Sequence, residues 1–289
     1  MRQPEKKRRT VGIRGQLMWF LCFICLLLLV LFWFLCTQLL EPLYTTHIQK
    51  QLTEQADAIV QKLDDAIADG AIDGTGTMTD GTYDMIILCL HQRIAIQMVQ
   101  EALPKIPAGT ILVDTCGLKG RMVRDLTYRC RKADVRYVGT HPMAGREKNG
   151  YYASIPNLFQ NANLIVTPVD GTDEAALDTV KELADQMGFG KIVTATPMWH
   201  DNMIAYTSQL AHVVSSSYVK DFCMDDALSF SGGSFQDMTR VATMDESMWA
   251  ALFLDNRDNL LYHLDLLIEN LTDYRDALKQ RDEERLQYL

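Results

Sequence analysis

What most restricts the fold of this chain is a regular alternation that begins at Asp84. The continuous apolar run "DMIILCL" (Asp84 to Leu90) is followed by "QRIAIQMVQEAL", whose apolar residues recur at helical spacing. The series continues through "TILVD" (Thr110 to Asp114), "RMVRDLTYRCRK", "VRYVGT" and "NLIVTP" (Asn163 to Pro168). "DEAALDTVKELADQMG", closed by Gly188, then leads into "KIVTAT". Strands that are apolar throughout are buried on both faces, and strands separated by helices pair in parallel. The expected class is therefore α/β, with a parallel, doubly wound sheet. From Pro197 the texture changes, and "HDNMIAYTSQLAHVVSSSYV", "FQDMTRVATM" and the stretch from Glu246 to the C-terminus all read as helical. In the last of these, Leu260, Leu261, Leu264, Leu267, Ile268 and Leu271 form an apolar stripe that suits an internal core and a dimer seam equally well.

The 25 residues from Gln16 to Leu40 contain no charged side chain. At a rise of about 1.5 Å per residue such a run crosses a hydrocarbon core of about 30 Å. It is too long for the apolar region of a signal peptide, and no small-residue cleavage site follows. A single membrane-spanning helix is expected. Residues 1–15 carry six Lys or Arg against one Glu, and this positive flank keeps the tip in the cytoplasm and sends everything after Glu41 across. The net charge is −9 and the tip contributes +5, so the rest carries −14, which excludes a nucleic-acid footprint on the body of the protein. A further amphipathic helix is marked by Leu52, Ala56, Ile59, Val60, Leu63 and Ile67, with Gly70 to end it. The layout is a basic tip (1–15), a transmembrane helix (16–40), an amphipathic linker (41–70), an α/β unit (71–195) and a helical unit (196–289). Of seven cysteines, three lie in the membrane run, and Cys89, Cys116, Cys130 and Cys223 have no disulfide-like spacing. That pattern belongs to a reducing compartment and conflicts with export of the body.

In an open parallel sheet, ligands bind beyond the carboxyl ends of the strands. The first three strands end at "CLHQ", "DTCGLKG" and "GTHPMAG", which brings His91, Asp114, Thr115, Cys116, Gly117, Lys119 and His141 to one rim. His141 is followed by Pro142, which biases it toward extended backbone. A histidine at a strand end is either a hydrogen-bonded surface residue or a proton-transfer group, and its position alone does not choose between them. No HxxxH or HExxH spacing surrounds it, so no metal is expected. In the helical unit, Ser208, Gln209 and His212 can share a face, and His212 reads equally as a core histidine bonded to a carbonyl. Asp237 and Arg240 are spaced as an intrahelical ion pair, or else Arg240 is an anion clamp for a carboxylate. His200 and Asp201 open the first helix of the unit, where Asp201 reads as a cap-region acid.

Taken together, "GTILVDTCGLKG", "YVGTHPMAGREKNGY", "LFQNANLIVTP", "MWHDNMIAYTSQLAHVVSSSYV" and "GGSFQDMTRVATMDESMWAALFLDNRDNL" resemble the prephenate dehydrogenases, from about Asp64 to near the C-terminus. The resemblance implies an NAD- or NADP-dependent oxidoreductase of tyrosine biosynthesis. Its fold would be a Rossmann-like domain followed by a helical domain that dimerises. It implies prephenate as substrate, or arogenate, with tyrosine as a possible inhibitor and a cytoplasmic location. It implies that His141 assists deprotonation of the substrate's ring hydroxyl and that Arg240 holds a substrate carboxylate. His212 would line the substrate pocket, Glu147 its entrance, and Gly233 would fall in the stretch linked to substrate or tyrosine. Cys89, Leu90, His91, Asp114, Thr115 and Cys116 would face the cofactor. Many family members carry a substrate-contacting serine where this chain has Gly117.

The family also begins with a strand and a glycine-rich GxGxxG turn that seats the cofactor pyrophosphate. This chain has no such sequence, since "DGAIDGTGTMTDG" follows a helix and does not open one. In its place stands a layout resembling the N-terminus of a membrane sensor kinase. The Rossmann-like sheet is therefore expected to be incomplete, with an unpaired edge along "DMIILCL". The expected origin is a fusion joined between about Lys50 and Ala66, the alternative being a genuine membrane-tethered variant with lost or altered activity, and the rival to an enzyme is a non-catalytic, membrane-anchored module that binds an aromatic acid.

Overall fold

The computed structural model describes residues 13–35, 50, 57–81, 83–145 and 150–289, and the chain divides into two compact units, Met1–Thr75 and Gly76–Leu289. In the first unit, α1 runs from Ile13 to Leu35 with exposed apolar side chains such as Phe20, Leu29 and Phe32. The unbroken run of described side chains in α1 is only 23–34, and among the described residues no helix is long and apolar enough to cross a membrane. The expected membrane span is thus not shown. Residues 57–68 form α2, which ends where Gly70 takes a φ of +68° and Ala71 N–H donates back to Ala66 O at 2.9 Å. That left-handed closure suits glycine. Ile59, Val60, Leu63 and Ile67 are exposed on this helix and Ala66 is buried, while Leu52 and Ala56 lie outside the described residues.

The second unit opens with a five-stranded sheet in sequential order. The strands are β1 (Met85–Leu88), β2 (Ile111–Asp114), β3 (Arg136–Pro142), β4 (Asn163–Val166) and β5 (Lys191–Thr194). Three helices pack on it: α3 (Gln92–Ala102), α4 (Gly120–Lys132) and α5 (Glu174–Gln186). β1, β2 and β3 are parallel, and β4 and β5 are parallel to each other. β3 and β4, however, run antiparallel, with His141 opposite Ile165. The expected all-parallel sheet is therefore wrong at this junction. A parallel return needs a crossover helix, and between Pro142 and Asn163 the described residues supply only a single 3-10 turn, Tyr151–Ala153.

The reversal decides where the helices go. α3 and α4 cover one face, on a core of Leu88, Ala95, Val99, Leu112, Met122 and Leu126. With the strand direction inverted, α5 lands on the other face, over Val113, Val138, Leu164 and Val166. The second face is uncovered at β1, where Ile87 is 46% exposed, and β1 is the outer strand of the sheet. The anticipated free edge along "DMIILCL" is present among the described residues.

β3 passes very close to β4 and α4. A Cβ added at Gly139 would stand 2.7 Å from Thr167 Oγ1 and 3.1 Å from Val123 Cγ2. Gly139→Ala is expected to cost about 1–3 kcal/mol through overpacking. Urea denaturation measures it, and an unchanged midpoint refutes the close approach.

The helical part comprises α6 (Pro197–Ile204), a π-helical turn at Ala205–Gln209, α7 (Leu210–Tyr218), α8 (Met224–Phe230), α9 (Gly233–Thr239), α10 (Glu246–Asp255), α11 (Arg257–Gln280) and α12 (Glu283–Tyr288). Thr196 caps α6 by accepting from Trp199 N–H, with Pro197 in the first turn. The expected single long helix is broken at Asn256, which is buried and donates from Nδ2 to Asp201 O and to Gln209 Oε1, each at 2.8 Å. The apolar stripe of α11 divides between its two readings: Leu260, Leu264 and Leu267 join the core with Ala205 and Leu210, whereas Leu261, Ile268 and Leu271 are exposed.

Candidate active site

The parallel strands β1 to β3 end on one rim, and the residues there fall into two groups. Asp114 and Cys116, expected to face a cofactor, are buried and already engaged. Asp114 accepts from Tyr137 Oη at 2.6 Å and Cys116 N–H at 2.9 Å, and it pairs with the fully buried Lys119 ammonium. Lys119 also donates to Thr140 O at 2.6 Å, and Thr140 Oγ1 donates to Asp114 O at 2.6 Å. This network ties the end of β2 to the end of β3. Burial, with Asp114 beside it, pushes the Cys116 thiol up to about 12, and its sulfur sits 3.3 Å from Leu90 O. These two residues therefore shape the rim from behind. Cys89, Leu90 and His91 are exposed on the rim, and Thr115 is half-buried, its hydroxyl donating to Leu88 O. Gly117 has nothing within 4 Å of an added Cβ, so the serine of related enzymes would fit there.

His141 lies near the end of β3, half-buried, with its Nδ1 2.9 Å from Nε2 of His200. His200 is 1% exposed, and its Nδ1 is 2.8 Å from Asp201 Oδ1. Asp201 is not a cap of its own helix. Its carboxylate accepts from Lys119 N–H at 2.7 Å and Gly120 N–H at 2.8 Å, which caps α4 instead. Burial first, with the neighbouring His200 ring and the Lys119 ammonium adding to it, pushes the His141 imidazole down to about 3, with Asp201 opposing. His141 is therefore neutral across the physiological range. An unfolded histidine binds its proton near the ordinary value of 6.5, whereas the folded one resists protonation. His141 thus contributes stability that is present above pH 6.5 and is lost as pH falls toward 3. A His141→Gln chain is expected to lose less stability than the wild type over that window, as read by denaturant midpoints at several pH values. Parallel declines would contradict the burial.

The residues of the helical part gather separately. His212 donates from Nδ1 to Val241 O at 2.9 Å and stacks on Trp249 with ring centroids 3.7 Å apart. Burial lowers its pKa, the Val241 carbonyl opposes this, and the Arg240 charge lowers it further. Arg240, in the 3-10 turn Arg240–Ala242, acts on His212, whereas the groups acting on His141 are His200, Lys119 and Asp201. The π turn at Ala205–Gln209 disrupts the expected face, because it turns Gln209 to bond Leu252 O and Asn256. Gly233 is exposed at the start of α9, and Glu147 lies outside the described residues. The described cysteines Cys25, Cys89, Cys116, Cys130 and Cys223 are free thiols. Among the described residues no cluster of His, Cys, Asp and Glu has the make-up of a metal site.

The sequence marked His141 but gave His200 and Asp201 only a structural part. Both precede a helical pattern, and nothing in their spacing shows that they reach across to another unit. Lys119 was noticed only as a rim residue. A lysine inside the short apolar-glycine stretch "CGLKG" is the one signal of its buried pair with Asp114.

A family model for the prephenate dehydrogenase nucleotide-binding domain matches residues 47–194, and one for the prephenate dehydrogenase dimerization domain matches 196–289. The chain is 31% identical over 207 residues to the cyclohexadienyl dehydrogenase of Zymomonas mobilis, covering 69% of each protein. It is 31% identical over 181 residues to the prephenate dehydrogenase of Bacillus subtilis, 61% of this chain and 48% of that one. The chain thus spans about half the length of the Bacillus protein. The crystal structure of prephenate dehydrogenase from A. aeolicus, in complex with hydroxyphenyl propionate and NAD+, superposes with a TM-score of 0.67 at 28% identity, over 78% of this chain and 81% of that one. The family match begins at residue 47, upstream of Asp64. These matches lend no support to the sensor-kinase resemblance. With a matched nucleotide-binding domain, a matched dimerization domain and His141 at the strand-end rim between them, the chain belongs to the prephenate dehydrogenase family.

Proposed function

We infer that this chain catalyses the oxidative decarboxylation of prephenate to 4-hydroxyphenylpyruvate. The observation that carries the reading is His141, a neutral imidazole held at the carboxyl rim of β1–β3 with one nitrogen anchored to His200. A positioned neutral imidazole can take the proton of the ring hydroxyl as carbonyl character develops. The carbon–carboxylate bond then breaks, its electron pair passes into the ring, and carbon dioxide leaves an aromatic product. Arg240, whose charge acts on His212, supplies a planar donor fork for a substrate carboxylate. NAD or NADP, when bound, would accept the hydride lost from the ring carbon that bears the hydroxyl. The exposed strand ends at Cys89–His91, with Thr115, suit its nicotinamide end. The described residues include no glycine-rich strand-to-helix turn for the pyrophosphate. The cyclohexadienyl dehydrogenase and the prephenate dehydrogenases among its relatives support this chemistry, and the matched dimerization domain and the exposed apolar side chains of α11 support a homodimer.

The uncharged run from Gln16 to Leu40 and the exposed apolar surface of α1 support a second reading of location, a single-pass membrane tether. Extraction of membranes with alkaline carbonate tests it: a chain released to the supernatant is not inserted. The missing GxGxxG favours one functional rival, a tethered module that binds an aromatic acid such as tyrosine without turnover. The full chain is to be assayed with prephenate and with arogenate, each with NAD and NADP, alongside calorimetric titration of cofactor and tyrosine. Prephenate-dependent reduction of either cofactor is expected. Turnover of arogenate alone transfers the substrate assignment, and tyrosine binding without nicotinamide binding establishes the module.

A further inference from the structure

We propose that His200 and Asp201 are positioning residues that set the tautomer of His141, so that its Nε2 faces the substrate as an unprotonated acceptor. The inference rests on the reading of His141 as the proton acceptor.

The argument starts at α4. Both oxygens of Asp201 receive backbone donors at the N-terminus of this 13-residue helix, Lys119 N–H on Oδ1 and Gly120 N–H on Oδ2. With both oxygens accepting backbone N–H groups, the Asp201 carboxylate serves as an acceptor only. His200 Nδ1, 2.8 Å from Oδ1, must then carry a hydrogen. Taken as the neutral ring, His200 has one N–H, so its Nε2 presents a lone pair. The contact of 2.9 Å between His200 Nε2 and His141 Nδ1 requires one donor, and that donor is His141 Nδ1–H. The remaining nitrogen of His141, Nε2, is left with its lone pair. Reversing any link would protonate Nε2 and remove the base.

The approach of Asp201 to the helix depends on a glycine. A Cβ at position 120 would stand 2.8 Å from Asp201 Oδ2. Asn256, at the break between α10 and α11, holds the Asp201 backbone oxygen at 2.8 Å. The chain of bonds therefore runs from the sheet, through the helical part, and back to α4. This makes the protonation geometry of His141 a consequence of how those elements dock. Both ring nitrogens of His200, which is 1% exposed, are engaged, one by Asp201 and one by His141.

The test uses the full chain labelled with 15N-histidine. Long-range proton–nitrogen spectra read the tautomer of each histidine, with His141 assigned by the signal missing from His141→Asn. Wild-type His141 is expected to be the Nδ1–H form. Asp201→Ala removes the acceptor of His200 Nδ1–H, so nothing fixes the His200 tautomer, and His141 is expected to populate the Nε2–H form. The same change should lower kcat by about tenfold or more while KM stays within about threefold. His200→Gln, whose amide oxygen still accepts from His141 Nδ1–H, is expected to keep the tautomer and stay within about tenfold of wild-type kcat, whereas His200→Phe is not. An Nε2–H form in the wild type overturns the proposal. So do equal losses in His200→Gln and His200→Phe with the tautomer unchanged, which would mark His200 as structural. If the tautomers behave as expected but His141→Asn turns over normally, the assignment of His141 as acceptor fails and the tautomer relay stands.

Discussion

Replacing His141 by asparagine should reduce kcat by about 10²–10⁴-fold with little change in folding. Asparagine places an amide N–H close to where His141 Nδ1 stands, so the bond to His200 Nε2, 2.9 Å in the wild type, has a replacement donor. Nothing replaces Nε2. The variant therefore separates the anchoring role of the ring from its proton-accepting role, which a change to alanine cannot do. Because the wild-type imidazole is held down to about 3, the acid limb of kcat/KM should fall well below the ordinary 6.5 of a histidine. Steady-state kinetics over pH measure both effects. A kcat within about threefold of wild type would remove His141 from the chemistry.

Lys119→Met should be the most destabilising single change at the site, costing about 3–5 kcal/mol. The Lys119 and Asp114 side chains are both fully buried and paired, so methionine leaves a carboxylate in the core without its cation. Tyr137 and the Cys116 amide still donate to Asp114, which offsets only part of the loss. Thr140 O also loses its donor, and Thr140 directly precedes His141 on β3. For a unit of this size about 10 °C of thermal midpoint is expected to be lost. The double change Asp114→Asn with Lys119→Met removes both charges and should recover a large part of it. A single variant as stable as the wild type would show that the pair is not needed to hold β2 to β3.

Much of the α/β part can be read from the chain because periodicity is a local property. The apolar runs and the helical spacing of "QRIAIQMVQEAL" and "DEAALDTVKELADQMG" place β1, β2, α3, α4 and α5 within a few residues of where they fold. Gly188, with φ +84°, closes α5 as its position suggests. Strand direction is different. "NLIVTP" is equally apolar in either direction, and only the lack of a helical pattern between Pro142 and Asn163 hints that β4 must turn back.

The site shows the same division. That His141 stands on a strand-end rim follows from the order of strands and helices, and the motifs around it suffice to recognise the family. What the rim residues do is decided by contacts between elements far apart in sequence. Asp114 and Cys116, which read as ligand-facing, are turned inward by Lys119 and Tyr137. Asp201, which reads as a cap-region acid of its own helix, caps α4 some eighty residues earlier, and His200 reaches His141 across 59 positions. The amino-acid sequence by itself determined the elements, the rim and the candidate base, since these depend on local propensity and chain order. Only the tertiary structure decided the reversal of β4, the buried Asp114–Lys119 pair and the chain of bonds that orients His141, because hydrogen-bond direction and burial exist only once separate elements have packed together.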